Sequence, residues 1–291
     1  MKFIKYLLIV IYASVFYSCG DPAVEIEEVK YEPKITVEGY LYPGETVNNI
    51  KLLRNFPLET TIDSLNLFLT PSFNSLSASI NGVQLKYNEA GRYYYNENML
   101  IENDKLYKLE VSAEIDGIYL YTESETTTPK SGFQVIEKEL GDVKYLTERA
   151  VISFVPAPGT GFYAFSVRAE NATLDNFIFD NPFIPNLKRE DIEEEFDNYL
   201  YQLNLIININ SENGGVTDYE IRELDTWFYT NYKVIVYGGD KNFKNYLLTV
   251  NRVQQPDGNF IEPAFNFKGD GIGIFGSAVK DTVSFNLVPR Q

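Results

Sequence analysis

At 291 residues the chain is long enough for two domains of ordinary size, and 44% hydrophobic with 23% charged residues places it among globular rather than disordered proteins. Its 41 acidic against 25 basic residues give a net charge of -16, which excludes the basic footprint that nucleic-acid binding requires. With no histidine it has no Ser-His-Asp or Cys-His nucleophile and no zinc site with His ligands, and with a single cysteine it has no internal disulfide. Carboxylates, Tyr, Lys and Ser are what remain for catalysis.

The first element is a leader, residues 1–18. Lys2 and Lys5 precede an apolar run from Tyr6 to Phe16, within the ~7–15 residues of a signal peptide and short of the ~20 that span a bilayer. Tyr17-Ser18-Cys19-Gly20 then resembles a bacterial lipobox, with Phe16 where Leu is usual, and predicts a lipid on Cys19. Residues 19–32 are short and acidic and contain Pro22, with Pro33 just beyond; they read as a tether. The acids Asp21, Glu25, Glu27 and Glu28 close behind a lipidated cysteine suggest display at the cell surface.

The body begins with a predicted strand at Ile35–Leu41, stopped by Pro43-Gly44. Leu76–Ile80 and Val83–Tyr87 flank Asn81-Gly82, a hairpin signal because both turn positions need positive φ. Leu106–Ile115 alternates cleanly and turns at Asp116-Gly117 into Ile118–Glu123. Strands at this spacing with no helix between them predict an immunoglobulin- or fibronectin-like antiparallel β-sandwich over residues 33–129, ending in the Thr126–Gly132 segment.

Residues 130–291 read as a second β-rich domain with one or two helical insertions. Strands are expected at Ala150–Val155, Phe162–Ala169, Leu205–Ile209, Tyr232–Tyr237, Ile272–Phe275 and Thr282–Val288. A helix is expected over 187–203, where Ile192, Phe196, Tyr199, Leu200 and Leu203 share a face, and a short one near Lys241–Leu248. No internal repeat is present.

Pro33–Gly39, the Asn81-Gly82 hairpin, Ala90–Tyr94, Tyr107–Val111, Thr128-Pro129 and the glycine-rich Gly269–Gly276 follow the lipobox in an order that resembles the Bacteroidota lipoprotein family catalogued as domain of unknown function 4249. The resemblance spans the mature chain, and Gly271-Ile-Gly-Ile-Phe-Gly276 is its most specific part. The family brings no established activity. Its members are often encoded beside TonB-dependent outer-membrane transporters, which implies an accessory role in the envelope, at the periplasmic face of the outer membrane or on the surface.

Three groups of residues are weighed as sites. Gly271, Gly273 and Gly276 have the dinucleotide-loop spacing, but a strand-like run follows where a phosphate site needs a helix N-terminus, so close backbone packing around Phe275 is the reading. The acids Glu190–Glu195 fan around a helix, and Asp240, Asp257, Asp270 and Asp281 read as turn formers; none is taken as a metal ligand, and neither a cofactor nor a catalytic residue is assigned. In Tyr93–Tyr95 and Trp227–Tyr229, alternation brings at least one ring of each group outward, and Trp227, Tyr229 and Tyr94 are the interface candidates against the plainer alternative of packing. The leading expectation is a non-enzymatic binding or accessory lipoprotein anchored through Cys19. A carboxylate-dependent hydrolase of glycans or peptides, and an adhesive or structural surface module, stay open beside it.

Overall fold

The alternation in the sequence becomes buried and solvated strand faces. The computed structural model describes residues 30–57, 60–62, 66–184, 186–209, 215–250 and 262–290, so Cys19, Asp257 and residues 20–29 of the tether lie outside the described residues. Pro33–Phe56 with Thr60–Gln291 forms one compact unit that holds all the strands; of the other unit, Met1–Glu32 with Pro57–Glu59, residues 30–32 and 57 are described.

In chain order the first half supplies β1 (Ile35–Leu41), β2 (Thr46–Arg54), β3 (Ser77–Ile80), β4 (Val83–Gln84), β5 (Lys86–Asn88), β6 (Tyr93–Leu100), β7 (Leu106–Ile115) and β8 (Ile118–Thr127). The second half supplies β9 (Gln134–Val135), β10 (Glu139–Lys144), β11 (Val151–Val155), β12 (Phe162–Glu170), β13 (Tyr201–Ile207), β14 (Thr217–Glu220), β15 (Asn231–Gly239), β16 (Phe267–Gly269) and β17 (Gly271–Val288). The protein is mostly β, arranged in three sheets with a few short helices. The largest runs β13-β12-β15-β17-β1-β2-β6-β5, with β10 also paired to β17; β16-β8-β7-β3-β4 and β14-β11-β9 are the others. None of them closes into a barrel among the described residues.

Local chemistry explains the hairpins. Asn81 and Gly82 adopt φ of 50° and 77°, and Asp116 and Gly117 adopt 52° and 78°, which sets the pairs Ile80↔Val83 and Ile115↔Ile118 across two-residue turns. In β7 every second residue from Tyr107 to Ile115 is buried, and Lys108, Glu110, Ser112 and Glu114 face outward.

Two cores result. Ile35, Val37, Ile50, Leu52, Ile80, Leu109 and Val111, with others from residues 35–120, fill the space between the β1-β2-β6 part of the large sheet and β3-β7-β8. Residues between 135 and 287 form an aromatic-rich core that includes Phe154, Tyr163, Phe165, Trp227, Phe228 and Tyr232. β17 serves both: Phe275 belongs to the first, while Val283, Phe285 and Leu287 belong to the second.

The expected strands at Ile272–Phe275 and Thr282–Val288 are one continuous 18-residue strand. Its first part pairs in parallel with β1, from Ile35↔Gly271 to Leu41↔Ser277, and its later part pairs antiparallel with β15, from Gly239↔Ala278 to Asn231↔Asn286. The Gly276–Val279 link is buried on both faces, so packing and two ladders carry it through a stretch whose pattern alone suggested a break.

The helix expected over 187–203 is a correction. Arg189–Glu194 and Phe196–Tyr199 are helical, separated at Glu195, and Tyr201–Ile207 is strand. Ile192, Phe196, Tyr199 and Leu200 do pack on the second core, as their spacing predicts. Leu203 instead lies on β13, where seven residues pair with β12 and a full ladder replaces what one or two more helical turns could supply. The helix expected near Lys241–Leu248 is present as Lys241–Val250.

Candidate functional site

The helix Lys241–Val250 is held to the sheet by a small core of its own. Phe243, Leu247 and Leu248 pack with Phe162, Ala164, Leu205, Tyr237 and Ala278. The chain can begin this helix directly after β15 because Gly238 and Gly239 have no side chains. A Cβ on Gly239 would collide with the Phe243 ring, and one on Gly238 would come within 2.7 Å of the Tyr163 ring.

Asp240 caps the helix. Its Oδ1 accepts from the Phe243 N–H at 2.8 Å and the Ser277 N–H at 3.3 Å, and its Oδ2 accepts from the Thr126 hydroxyl at 2.6 Å. The Asp240 N–H in turn donates to the Ser277 carbonyl at 2.9 Å. Thr126 is on β8 and Ser277 on β17, so one carboxylate ties the five-stranded sheet, the nine-stranded sheet and the helix together. Burial raises the Asp240 pKa above the ordinary Asp value, and the hydrogen bonds from Thr126, Phe243 and Ser277 partly oppose that shift.

Asn266 makes a second tie. Its Nδ2 donates to Ser124 Oγ at 2.6 Å and to the Phe275 carbonyl at 2.7 Å, while its Oδ1 accepts from the Phe275 N–H at 3.2 Å. Asn242 Nδ2 reaches the Glu125 carbonyl at 2.6 Å. Together these groups form a polar seam along β8 and β17. The glycine-rich segment fits this seam by close backbone approach. A Cβ on Gly273, whose φ is 106°, would collide with the Val37 carbonyl, and one on Gly271 with the Thr122 hydroxyl. Gly271–Gly276 continues as strand, with no helix N-terminus to meet a phosphate.

Outside this seam lies a cleft of about 570 Å³, lined among others by Thr128, Lys130, Thr160, Asp240, Lys241 and Lys244. The Pro158–Phe162 loop and the chain leaving β8 form its other walls. Among the described residues, Lys130, Lys241 and Lys244 form no ion pair. A second cleft, of about 620 Å³, lies between Phe68, Tyr87 and Arg92, where the Arg92 guanidinium is 5.5 Å from the Phe68 ring centroid.

The outer face of β7 and β8 brings two carboxylates together. Lys108 Nζ lies 3.2 Å from Glu110 and 2.7 Å from Glu123, and the Tyr121 hydroxyl donates to Glu110 at 2.9 Å and to Glu123 at 3.2 Å. The Tyr121 hydrogen bond, then Lys108, holds Glu110 below the usual carboxylate range; Lys108 does the same for Glu123. The Tyr121 hydroxyl is pushed up to about 12, first by its hydrogen bond to Glu110. Both carboxylates are thus shifted in the same direction, downward, by the hydrogen bonds they share with Lys108 and Tyr121.

Of the interface candidates, Trp227 and Tyr94 are core residues, 6% and 4% exposed. Trp227 packs between Phe177 and Tyr199, with ring centroids at 6.1 and 4.9 Å. The Tyr94 hydroxyl donates to the Leu69 carbonyl at 2.8 Å. The expectation of an exposed anchor at these two positions is corrected: Tyr94 takes the buried side of β6 between the partly buried Tyr93 and Tyr95, and Trp227 lies outside any strand, covered by Phe177 and Tyr199. Tyr229 is partly buried, edge-on to Tyr145 at 5.9 Å. Asp270 accepts from the Tyr121 N–H at 3.3 Å, and Asp281 pairs with Lys138 at 2.8 Å. Glu190, Asp191, Glu193, Glu194 and Glu195 are exposed. Sequence reading did not find Asn266, Thr126 and Ser277 as polar ties or the three lysines as neighbours. The one local signal was Gly-Gly-Asp ahead of an amphipathic run, which marks a helix cap.

A family model described as Domain of unknown function (DUF4249) matches residues 22–283. No curated protein matches the sequence. Among solved structures, the chain is similar to "Escherichia coli alpha-2-macroglobulin activated by porcine elastase", at 10% identity and a TM-score of 0.23, over 88% of this chain and 23% of that one. The chain therefore spans about a quarter of that protein's length.

Proposed function

This chain belongs to the DUF4249 family, and we propose that it is a lipid-anchored envelope protein working as a non-enzymatic binding or accessory subunit beside a TonB-dependent outer-membrane transporter. The observation that carries the reading is the leader ending at Cys19, with a tether of residues 19–32 between that cysteine and the first strand. Each buried methylene contributes ~0.8 kcal/mol, so two or more acyl chains on Cys19 hold the body stably at the outer membrane. In the same reading residues 33–129 are an immunoglobulin- or fibronectin-like sandwich, which the aliphatic core between β1-β2-β6 and β3-β7-β8 supports. Residues 130–291 are then the second β-rich domain with its helical insertions.

The test is a gentle detergent purification of the tagged full-length protein from its native envelope, with mass spectrometry of what accompanies it. A Cys19→Ala control runs alongside. A TonB-dependent transporter recovered at near-equal amount with the lipidated chain is the expected result. Recovery of the protein alone overturns the accessory role.

A further inference from the structure

We propose that the cleft beside the helix Lys241–Val250 is a binding site for a small multiply charged anion, a solute or headgroup bearing carboxylate or phosphoryl groups. This gives the binding reading above a ligand chemistry and rests on that reading for its role in the envelope.

The chain carries a net charge of -16, so its lysines have no shortage of carboxylates to pair with. Many do pair elsewhere: Lys51 with Glu38, Lys108 with Glu110 and Glu123, Lys138 with Asp281, and Lys280 with Glu45; Lys188 and Lys233 form no ion pair among the described residues, but neither lines the cleft. Lys130, Lys241 and Lys244 come from segments more than 100 residues apart in sequence, line one cleft, and form no ion pair among the described residues. A concentration of unpaired positive charge in an acidic protein costs electrostatic free energy that an anion offsets.

The local placement sharpens this. Lys241 and Lys244 lie in the first turn of a ten-residue helix, the end that carries positive partial charge, and no acidic residue occupies that turn. Cations there are disfavoured, so their position is not explained by helix stability. The cap, Asp240, does not neutralise them through a direct ion pair, because its oxygens accept from Thr126, Ser277 and the Phe243 N–H. Asp104 is the other acid in the lining. It lowers the positive balance of the cleft without pairing with any of the three lysines. The volume, about 570 Å³, is that of a small-molecule site. Ammonium groups act as point charges toward phosphate or carboxylate, which suits an anion with several charged oxygens and no fixed fork geometry.

The experiment is calorimetric titration of the full-length lipidated protein in zwitterionic detergent at low ionic strength. The probes are citrate, inorganic pyrophosphate and a soluble short-chain phosphatidic acid, with short-chain phosphatidylcholine as the neutral control. Expected is saturable binding of at least one anionic probe that weakens with added salt. In the triple variant Lys130→Gln, Lys241→Gln, Lys244→Gln it should weaken about tenfold or more. It should persist in Lys188→Gln, Lys233→Gln, which removes two unpaired lysines outside the cleft. Binding of phosphatidic acid alone supports the site with a headgroup as the source; binding of citrate or pyrophosphate supports it with a free solute. No binding by any anionic probe, or equal loss in both variants, overturns it. Transporter co-purification is read separately. Anion binding without a transporter sinks the accessory role and leaves this site standing, and the reverse outcome does the opposite.

Discussion

The polar seam behind Asp240 and the cleft in front of it use polar groups in opposite ways. In the seam, Asp240, Asn266 and Ser124 each meet at least one partner within 3 Å, and backbone amides of β17 are among the groups they satisfy. In the cleft, three ammonium groups line one space with Asp104 and Asp240 but form no direct ion pair among the described residues. The seam removes polar groups from water and must therefore satisfy them; the cleft stays wet, so its charges can remain unpaired until a ligand arrives. The difference teaches that the seam belongs to folding and the cleft to recognition, and variants on either side separate the two roles.

The largest effect is expected at the apolar end of the seam. Phe275 is fully buried in the first core, and Phe275→Ala should cost about 3–5 kcal/mol, read as a lower urea midpoint. Next is Asn266→Ala. It leaves the Phe275 N–H without its side-chain partner and the Phe275 carbonyl with only the longer bond from Asn242 Nδ2 at 3.3 Å, and should cost about 1–3 kcal/mol in the same assay, with the fold retained.

Asp240→Asn probes the residue that both regions share. Its raised pKa means that the folded protein holds a proton which the unfolded chain has already released in the window just above the ordinary Asp value. That contribution is fully present at pH below the unfolded value and is lost as pH rises through the folded one. The Asn variant keeps an oxygen for the Phe243 and Ser277 N–H groups. Its Nδ2 can donate to Thr126 Oγ1, which turns its own proton to Ser277 Oγ, 2.9 Å away, while Ser277 donates to the Thr127 carbonyl at 3.1 Å. Neutral-pH stability should change by no more than about 1 kcal/mol. The fall in melting temperature as pH rises from the ordinary Asp value through the raised one should flatten in the variant; an unchanged slope would remove Asp240 as its source.

The smallest effect on stability belongs to the cleft. Lys241→Gln with Lys244→Gln should leave the urea midpoint unchanged or slightly raised, because cations leave the positive end of a helix. A clear loss of stability there would erase the contrast with the seam and count against a ligand role for these lysines.

Much of the strand inventory was legible in the chain. The alternation of Leu106–Ile115 and the paired turn residues at Asn81-Gly82 and Asp116-Gly117 act within a few residues, and the strands and hairpins form where those patterns stand. Less legible was anything whose partner is remote. The sequence from Tyr201 to Leu203 looks helical beside Ile192 and Tyr199, but pairing with β12, some forty residues earlier, makes it strand. Trp227 and Tyr94 looked like anchors because exposure depends on what covers a ring, and Phe177, Tyr199 and Leu69 do that from distant segments.

The sequence by itself determined the acidic charge, the lack of histidine chemistry, the apolar run from Tyr6 to Phe16 ahead of Cys19, and the turns that define the first sheets. Those properties follow from composition or from contacts between near neighbours. Only the tertiary structure decided that β17 would run unbroken between β1 and β15, that Asn266 would clamp Phe275, and that Lys130 would meet Lys241 and Lys244 at one cleft. Each of these depends on long-range pairing, where hydrogen-bond satisfaction and apolar burial between remote segments outweigh local preference.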